Sequence, residues 1–136
     1  MSTWLSDRLI PSGSSAAKRT NAEELVVWGT GSPRREFMYV DDLADALVFL
    51  LRHYSNEEHV NIGVGHDVTI RQLAETIARI VGLPEKLRFD SSKPDGTPRK
   101  LIDSSRLLAM GWKPQTSLEE GLRKTYAWYL KNLAKA

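Results

Sequence analysis

Residues 26–46 read VVWGTGSPRREFMYVDDLADA and contain an apolar strand, a Gly/Pro loop, two adjacent arginines and the start of an apolar helix. The strand ends in Trp28, whose indole offers a flat apolar face to a sugar or a base. Arg34 and Arg35 carry guanidinium groups, whose donors match two phosphate oxygens at once. The segment therefore predicts a place that holds a planar group beside an anionic one.

Helical and strand patterns alternate along the rest of the chain, which indicates an α/β domain. We predict four short strands, at residues 25–28, 37–40, 59–63 and 86–90. We predict about four helices, with starts at Asp41 or Asp42, at Thr69, near Asp103 and at Ser117. The first should be buried on most of its surface, because apolar residues occupy more than one of its sides.

The ends of the later helices carry recognisable signals. Residues 69–72 (TIRQ) and 117–120 (SLEE) each match a capping box, in which a hydroxyl and a carbonyl side chain satisfy exposed N–H groups reciprocally. Gly82 and Pro84 are expected to end the second helix. Because the strands are few and short, we expect a small lobe that packs on something larger.

Composition excludes several classes of protein. A chain of 136 residues is one domain by length, and its net charge of +2 is too small to indicate a nucleic-acid or membrane partner. The lack of cysteine excludes disulfides and thiolate chemistry and is typical of a cytoplasmic protein. Residues 1–21 contain a Ser/Gly-rich stretch, so we predict a flexible or aberrant head followed by a folded domain over residues 22–136.

A second candidate site is the loop KPDGTPRK at residues 93–100. Pro-Asp-Gly is a strong turn signal, and an ordinary turn is the simpler interpretation. Three cations nevertheless flank one carboxylate, so Arg99 or Lys100 could close over a pyrophosphate while Asp95 accepts hydrogen bonds from hydroxyl or amine groups.

Each of these features has a simpler alternative. A Trp at a strand end is often a packing residue, and neighbouring arginines on a strand point to opposite faces, so at most one faces a given pocket. The sequence Gly-Val-Gly at 63–65 lacks the third glycine of a dinucleotide fingerprint, which favours a plain turn. Asp41, Asp42 and Asp45 suggest a magnesium motif, but helix capping explains them better.

From about residue 22 to residue 133 the sequence resembles the C-terminal part of the GDP-L-fucose synthases, enzymes of the extended short-chain dehydrogenase/reductase group. The matching runs, in order along the chain, are VVWGTGSPRREF, VDDLADA, NIG, VTI, KPDGTPRK, GW and SLEEGL. The run KPDGTPRK separates this family from related nucleotide-sugar epimerases. The resemblance implies a small substrate-binding lobe of such an enzyme, without its Rossmann domain.

In that family the enzyme epimerises two carbons of GDP-4-keto-6-deoxy-D-mannose and reduces the ketone with NADPH to give GDP-L-fucose. The resemblance implies that Trp28, Arg35 and Asp95 bind the GDP-sugar substrate and, by extension, places Arg99 near the nucleotide end. It also implies two kinds of partner besides the substrate: a Rossmann domain or other chain that covers an exposed face, and a second copy in a homo-oligomer.

The family's chemistry depends on a glycine fingerprint for NADP(H), a Tyr-x-x-x-Lys pair and a cysteine. None of these occurs in the sequence. We therefore expect no catalytic residue, no cofactor bound to this chain alone, no metal and no turnover by the chain itself. Two alternatives stay open: a non-catalytic nucleotide-sugar binding module, and the lobe of a related GDP- or UDP-sugar epimerase.

Overall fold

The computed structural model describes residues 24–83 and 87–132, and the predicted head at 1–21 lies outside them. Along the described chain the elements are β1 Leu25–Trp28, β2 Arg34–Arg35, α1 Val40–His53, β3 Val68–Thr69, α2 Ile70–Val81, β4 Leu87–Asp90, β5 Arg99–Lys100, α3 Ser105–Ala109 and α4 Leu118–Asn132. Four helices and short strands in this part of the chain confirm the predicted α/β class.

The chain divides into two compact units, each built from separated segments. Of the described residues, unit 1 contains 24–34, 68–83 and 87–99, and unit 2 contains 35–67 and 100–132.

Unit 1 is built on a parallel pair of strands, β1 and β4, in which Leu25 lies opposite Leu87 and Trp28 opposite Asp90. Parallel strands need a crossover connection, and α2 lies within it. Helix α2 starts from the predicted capping box, since Thr69 accepts from the Gln72 amide and Gln72 accepts from the Thr69 amide. It ends, as predicted, at Gly82 in the left-handed conformation with φ of 69°. Pro84 lies outside the described residues.

The second sheet has the strand order β3-β2-β5. Within unit 1 the Ile70 amide donates to the Pro33 carbonyl at 2.9 Å and the Arg34 amide donates to the Pro98 carbonyl at 2.8 Å. These bonds attach the start of α2 and the end of the segment 87–99 to the loop that follows β1.

Unit 2 is organised around a small apolar cluster of Ala46, Leu107 and Trp112. Further apolar side chains that pack against it are Met38, Phe49, Leu50, Val60 and Ile62. The Trp112 indole N–H donates to the Asp45 carboxylate at 2.8 Å, which satisfies the one polar atom of this buried ring. The cluster fastens α1 to α3 and to the segment that follows α3.

The Glu36 carboxylate ties three backbone segments of unit 2 together. Its Oε1 accepts the amides of Val64 and Gly65 at 2.5 and 2.8 Å, and its Oε2 accepts the Ile102 amide at 3.1 Å. A Cβ at Gly63 would lie 2.7 Å from Oε1, so only glycine leaves room for the carboxylate here.

Two predicted strands are wrong. Residues 37–40 and 59–63 are not strands, and only Arg34 and Arg35 pair in the first region. After residues 59–63 the amides of Val64 and Gly65 bond to the Glu36 side chain rather than to a neighbouring strand. In the first region the helix already begins at Val40. Val60 and Ile62 still pack on the core, so the apolar alternation reported their burial correctly.

The predicted capping of α1 is also wrong. The helix begins at Val40 with Tyr39 at the N-cap position and no side-chain cap bond, so Asp41 and Asp42 lie in its first turn. Asp42 is buried and accepts hydrogen bonds from the amides of Gln115 and Thr116 instead.

The predicted burial of α1 on most of its surface is wrong as well. Leu43, Leu47, Val48 and Leu51 are exposed, with Leu51 at 84% of its full accessibility.

Across residues 24–83 and 87–132 we find no helix whose length and hydropathy would let it cross a bilayer.

Candidate functional site

Trp28 lies at the end of β1 with its ring open to solvent, 62% exposed. The Lys93 Nζ lies 5.6 Å from the ring centroid, within the range of a cation–π contact. Trp28 is therefore not a core residue, whereas a packing role at the rim stays open. Unit 1 thus presents a flat apolar surface beside the Lys93 ammonium, a cation that the sequence analysis did not assign to this contact.

Lys93 reaches Trp28 because a tight turn follows β4. The Asp90 Oδ1 accepts the Ser92 hydroxyl at 2.6 Å and the Ser92 amide at 3.1 Å. The Asp90 carbonyl accepts the Lys93 amide at 3.2 Å. The hydroxyl bond, followed by the amide bond, holds the pKa of Asp90 below its ordinary value of 3.8. Since Asp90 lies opposite Trp28, the turn brings Lys93 back over the strand end.

Asp95 fastens the loop at residues 91–98 to the end of β1. Its Oδ1 accepts the Thr30 amide at 2.9 Å and its Oδ2 accepts the Thr30 hydroxyl at 2.7 Å. Two predicted site residues, Trp28 and Asp95, are thus brought to the same strand end although 67 positions separate them. Both oxygens of the carboxylate already accept hydrogen bonds from Thr30, and each has a further lone pair that could accept from a ligand.

The two predicted arginines lie elsewhere in the fold. Arg99 is exposed in β5, at the end of unit 1, and Arg35 is half-buried in β2 and belongs to unit 2. Their convergence with Trp28 on one ligand stays a prediction.

The sequence analysis did not identify Thr30 and Arg71 as parts of this region. The Arg71 guanidinium lies over the Phe89 ring, 3.7 Å from its centroid, and donates from Nη2 to the Thr30 carbonyl at 3.1 Å. Arg71 is 41 positions from Thr30. It lies inside the capping box at residues 69–72, and helix capping by itself explains that sequence. No pattern in the sequence signals this contact.

Neither Gly-x-Gly turn of the described chain, at residues 29–31 or 63–65, fits a dinucleotide phosphate. The amides of Val64 and Gly65 both donate to Glu36, and the Thr30 amide donates to Asp95. A pyrophosphate needs such amides as its own donors. The described residues also hold no cluster of three acidic or histidine side chains able to bind a metal.

Comparison with known proteins agrees with the resemblance found in the sequence motifs. Residues 4–63 match the profile of the NAD dependent epimerase/dehydratase family. The chain is 62% identical over 120 residues to a probable GDP-L-fucose synthase 1 of Oryza sativa subsp. japonica, with 88% of this chain and 37% of that protein covered. It is 50% identical over 125 residues to a GDP-L-fucose synthase of Escherichia coli K12, with 85% of this chain and 39% of that protein covered.

Among solved structures, a GDP-L-fucose synthetase from Naegleria fowleri bound to NADP superposes with a TM-score of 0.83 at 30% identity. The match covers 90% of this chain and 39% of that one. The chain thus spans less than two-fifths of the length of these relatives.

Proposed function

We propose, from the homology of this chain to the GDP-L-fucose synthases over most of its length, that it binds the GDP-sugar in an NADPH-dependent epimerase/reductase of that kind. The observation that carries the proposal is the exposed Trp28 ring at the end of β1 with the Lys93 ammonium 5.6 Å from it. The exposed indole offers a face on which a planar group can stack, and the ammonium beside it can neutralise a phosphate.

The two chemical halves of a nucleoside-diphosphate sugar fit different parts of this region. A base or sugar ring would stack on the indole face of Trp28. The Lys93 ammonium of unit 1 would neutralise part of the diphosphate charge, and Arg35 and Arg99 stay predicted phosphate contacts from the resemblance. Asp95 would orient hydroxyl or amine groups, either directly or through the loop that it holds.

The chemistry of epimerisation and reduction lies in groups that this chain does not contain. Its sequence has no cysteine and no tyrosine followed by lysine four positions on, and the Gly-x-Gly turns at 29–31 and 63–65 do not fit NADP(H). NADPH would supply hydride for the ketone when bound by another module. We propose that a Rossmann domain covers the exposed apolar face, that copies of the chain associate, and that the protein works in the cytoplasm.

Isothermal titration of the chain with GDP tests the binding role. We expect GDP to bind, UDP to bind more weakly, and Trp28→Ala to lower GDP affinity about tenfold, because stacking on an aromatic ring contributes about 1–3 kcal/mol. Trp128→Ala is the matched control, since Trp128 is similarly exposed but lies on α4 in unit 2. An equal loss in both variants, or no GDP binding by the intact chain, would contradict the proposal.

Two further outcomes distinguish the alternatives. Equal affinity for GDP and UDP would favour the lobe of a related epimerase. NADPH oxidation by the purified chain with GDP-4-keto-6-deoxy-D-mannose would show that it is catalytic by itself, and the assignment of chemistry to another module would be wrong. Oxidation only after addition of a Rossmann domain from a relative would support that assignment.

A further inference from the structure

Thr30 has every polar group engaged, although it is exposed at a strand end. Its amide and hydroxyl donate to Asp95, and its carbonyl accepts from Arg71. The hydroxyl oxygen also lies 2.7 Å from the Ser32 hydroxyl and accepts the Ser32 amide at 3.1 Å. Exposed loop residues commonly bond to water, so this degree of internal bonding fixes one backbone conformation.

The neighbours of Thr30 show why such bonds are needed. Gly29 and Gly31 have φ of 86° and 77°, a region that glycine visits easily and leaves easily. A Cβ at Gly29 would overlap the Asp95 Oδ1, and a Cβ at Gly31 would lie 2.5 Å from the Phe89 ring. Two flexible residues are thus the only ones that fit. Hydrogen bonds must hold them in place: the Gly29 amide donates to the Asp90 carbonyl at 2.9 Å, and Thr30 between the two glycines adds the side-chain contacts.

Arg71 closes the other side of the same loop. Its amide donates to the Gly31 carbonyl at 3.0 Å while its guanidinium donates to the Thr30 carbonyl and lies over Phe89. Because Arg71 is on the first turn of α2 and Phe89 is on β4, the loop is attached to both elements.

We infer that Thr30 and Arg71 are positioning residues that hold the Trp28 ring for its ligand, and that Asp95 contributes to affinity mainly through Thr30. Both Asp95 oxygens accept from Thr30, so removal of the carboxylate takes away two of the bonds that hold the loop directly after Trp28. A loop fixed before binding loses less conformational entropy when the ligand arrives. The affinity part of this inference rests on the proposed function, whereas the positioning part does not.

The first experiment needs no ligand. The chain is labelled with 5-fluorotryptophan, which gives one ¹⁹F resonance for each of its 4 tryptophans, and the Trp28 resonance is assigned by its loss in Trp28→Phe. We expect Thr30→Val, Asp95→Ala and Arg71→Lys to shift or broaden this resonance. Thr76→Val, which removes a comparable hydroxyl bond to the Gln72 carbonyl within α2, should leave it in place. An unchanged Trp28 resonance in Thr30→Val would overturn the positioning role.

The second experiment measures GDP affinity in the same variants. Thr30→Val should weaken binding on the order of fivefold to tenfold, and Thr30→Ser, which keeps the hydroxyl, should restore it. Arg71→Lys keeps the charge, so weaker binding in that variant reports the lost guanidinium contacts. The double variant Asp95→Ala/Thr30→Val should bind like Asp95→Ala alone, because the two residues act through one contact.

Additive losses in the double variant would overturn the inference, since Asp95 would then act on the ligand directly. If the intact chain fails to bind GDP, the proposed function is wrong, and the ¹⁹F result alone decides whether Thr30 and Arg71 position Trp28.

Discussion

Asp42 shows how a single buried carboxylate can join distant parts of unit 2. It is 7% exposed, and its oxygens accept the Gln115 amide at 3.1 Å, the Thr116 amide at 2.9 Å and the Thr116 hydroxyl at 3.0 Å. Burial of a carboxylate is unfavourable unless hydrogen bonds compensate for lost hydration, and three donors do so here. Asp42 thereby orders the segment that leads from Trp112 into α4.

We predict that Asp42→Ala lowers the free energy of unfolding by about 2–4 kcal/mol, because two amides lose a charged acceptor in a partly buried place. Urea unfolding monitored by circular dichroism measures this change. Asp41→Ala is the matched control: Asp41 is exposed in the same helical turn and should cost less than about 1 kcal/mol. Equal effects of the two substitutions would show that both residues merely complement the helix dipole.

The role of Asp42 could not be predicted from the sequence. Two aspartates before an apolar helix have a sufficient local explanation as caps, whereas the actual partners lie 73 and 74 positions further on. The hydrogen bond between Thr30 and Asp95 likewise joins residues that lie 65 positions apart in the sequence. Local patterns identified Trp28 and Asp95 as notable residue types, but their hydrogen-bond partners depend on tertiary structure.

Helix α2 is the element that the sequence predicts best, because both of its ends are determined locally. Thr69 and Gln72 satisfy each other's amides, and Gly82 adopts the left-handed conformation that other residues avoid. The strands are predicted less well. Alternating apolar residues at 59–63 identify buried side chains, but alternation does not show whether a neighbouring strand is present to pair with them.

We predict that Thr69→Ala destabilises the protein by about 1 kcal/mol, since the amide of Gln72 loses its acceptor. Thr69→Ser keeps the hydroxyl and should stay close to the parent chain. Urea unfolding of the three proteins decides the point. A serine variant as unstable as the alanine variant would mean that the methyl group of Thr69, not its hydroxyl, is what stabilises the helix.

The stability of the turn after β4 should depend on the ionisation of Asp90. Because the pKa of Asp90 is lowered in the folded state, ionised Asp90 stabilises the turn above its ordinary value of 3.8, and this contribution is lost as the pH falls through the folded-state pKa. Ser92→Ala removes the strongest cause, so we expect the Asp90 pKa to rise toward 3.8 in that variant, as measured by carboxyl ¹³C NMR.

Asp103 provides the internal control for this titration. Its pKa is lowered by hydrogen bonds from Ser105 in unit 2, first from the backbone amide and then from the side chain. It should titrate identically with and without the Ser92 substitution. A shift of both carboxyls would indicate a global change in the fold rather than the loss of one hydrogen bond.

At the scale of the whole molecule, α1 has a second apolar face that unit 2 does not bury. Leu43, Leu47 and Leu51 are exposed at helical spacing, next to the side where Ala46 packs on Leu107 and Trp112. Exposed apolar patches of this kind promote association. Burial of this face by the proposed partner, a Rossmann domain or a second copy, would remove these leucines from water and stabilise the complex.

We predict that the purified chain associates with itself and that Leu47→Glu/Leu51→Glu shifts it toward monomer in sedimentation velocity. Ser55→Glu/Asn56→Glu adds the same charge at exposed polar positions just beyond α1 and should leave the association unchanged. A monomeric parent chain, or an equal effect of both double variants, would show that this face does not drive self-association.

The two units share one trait, which is that each is closed by contacts between its earliest and latest segments. In unit 1, β1 pairs with β4 about sixty positions later, and in unit 2 Asp42 bonds to Gln115 and Thr116. Contacts so distant along the chain form slowly, because a long loop must close first. While a ribosome is still translating the region before residue 87, neither unit has its closing segment. A nascent polypeptide of this sequence therefore exposes the apolar helix faces of each unit to chaperones and proteases until the closing segment of that unit has been translated.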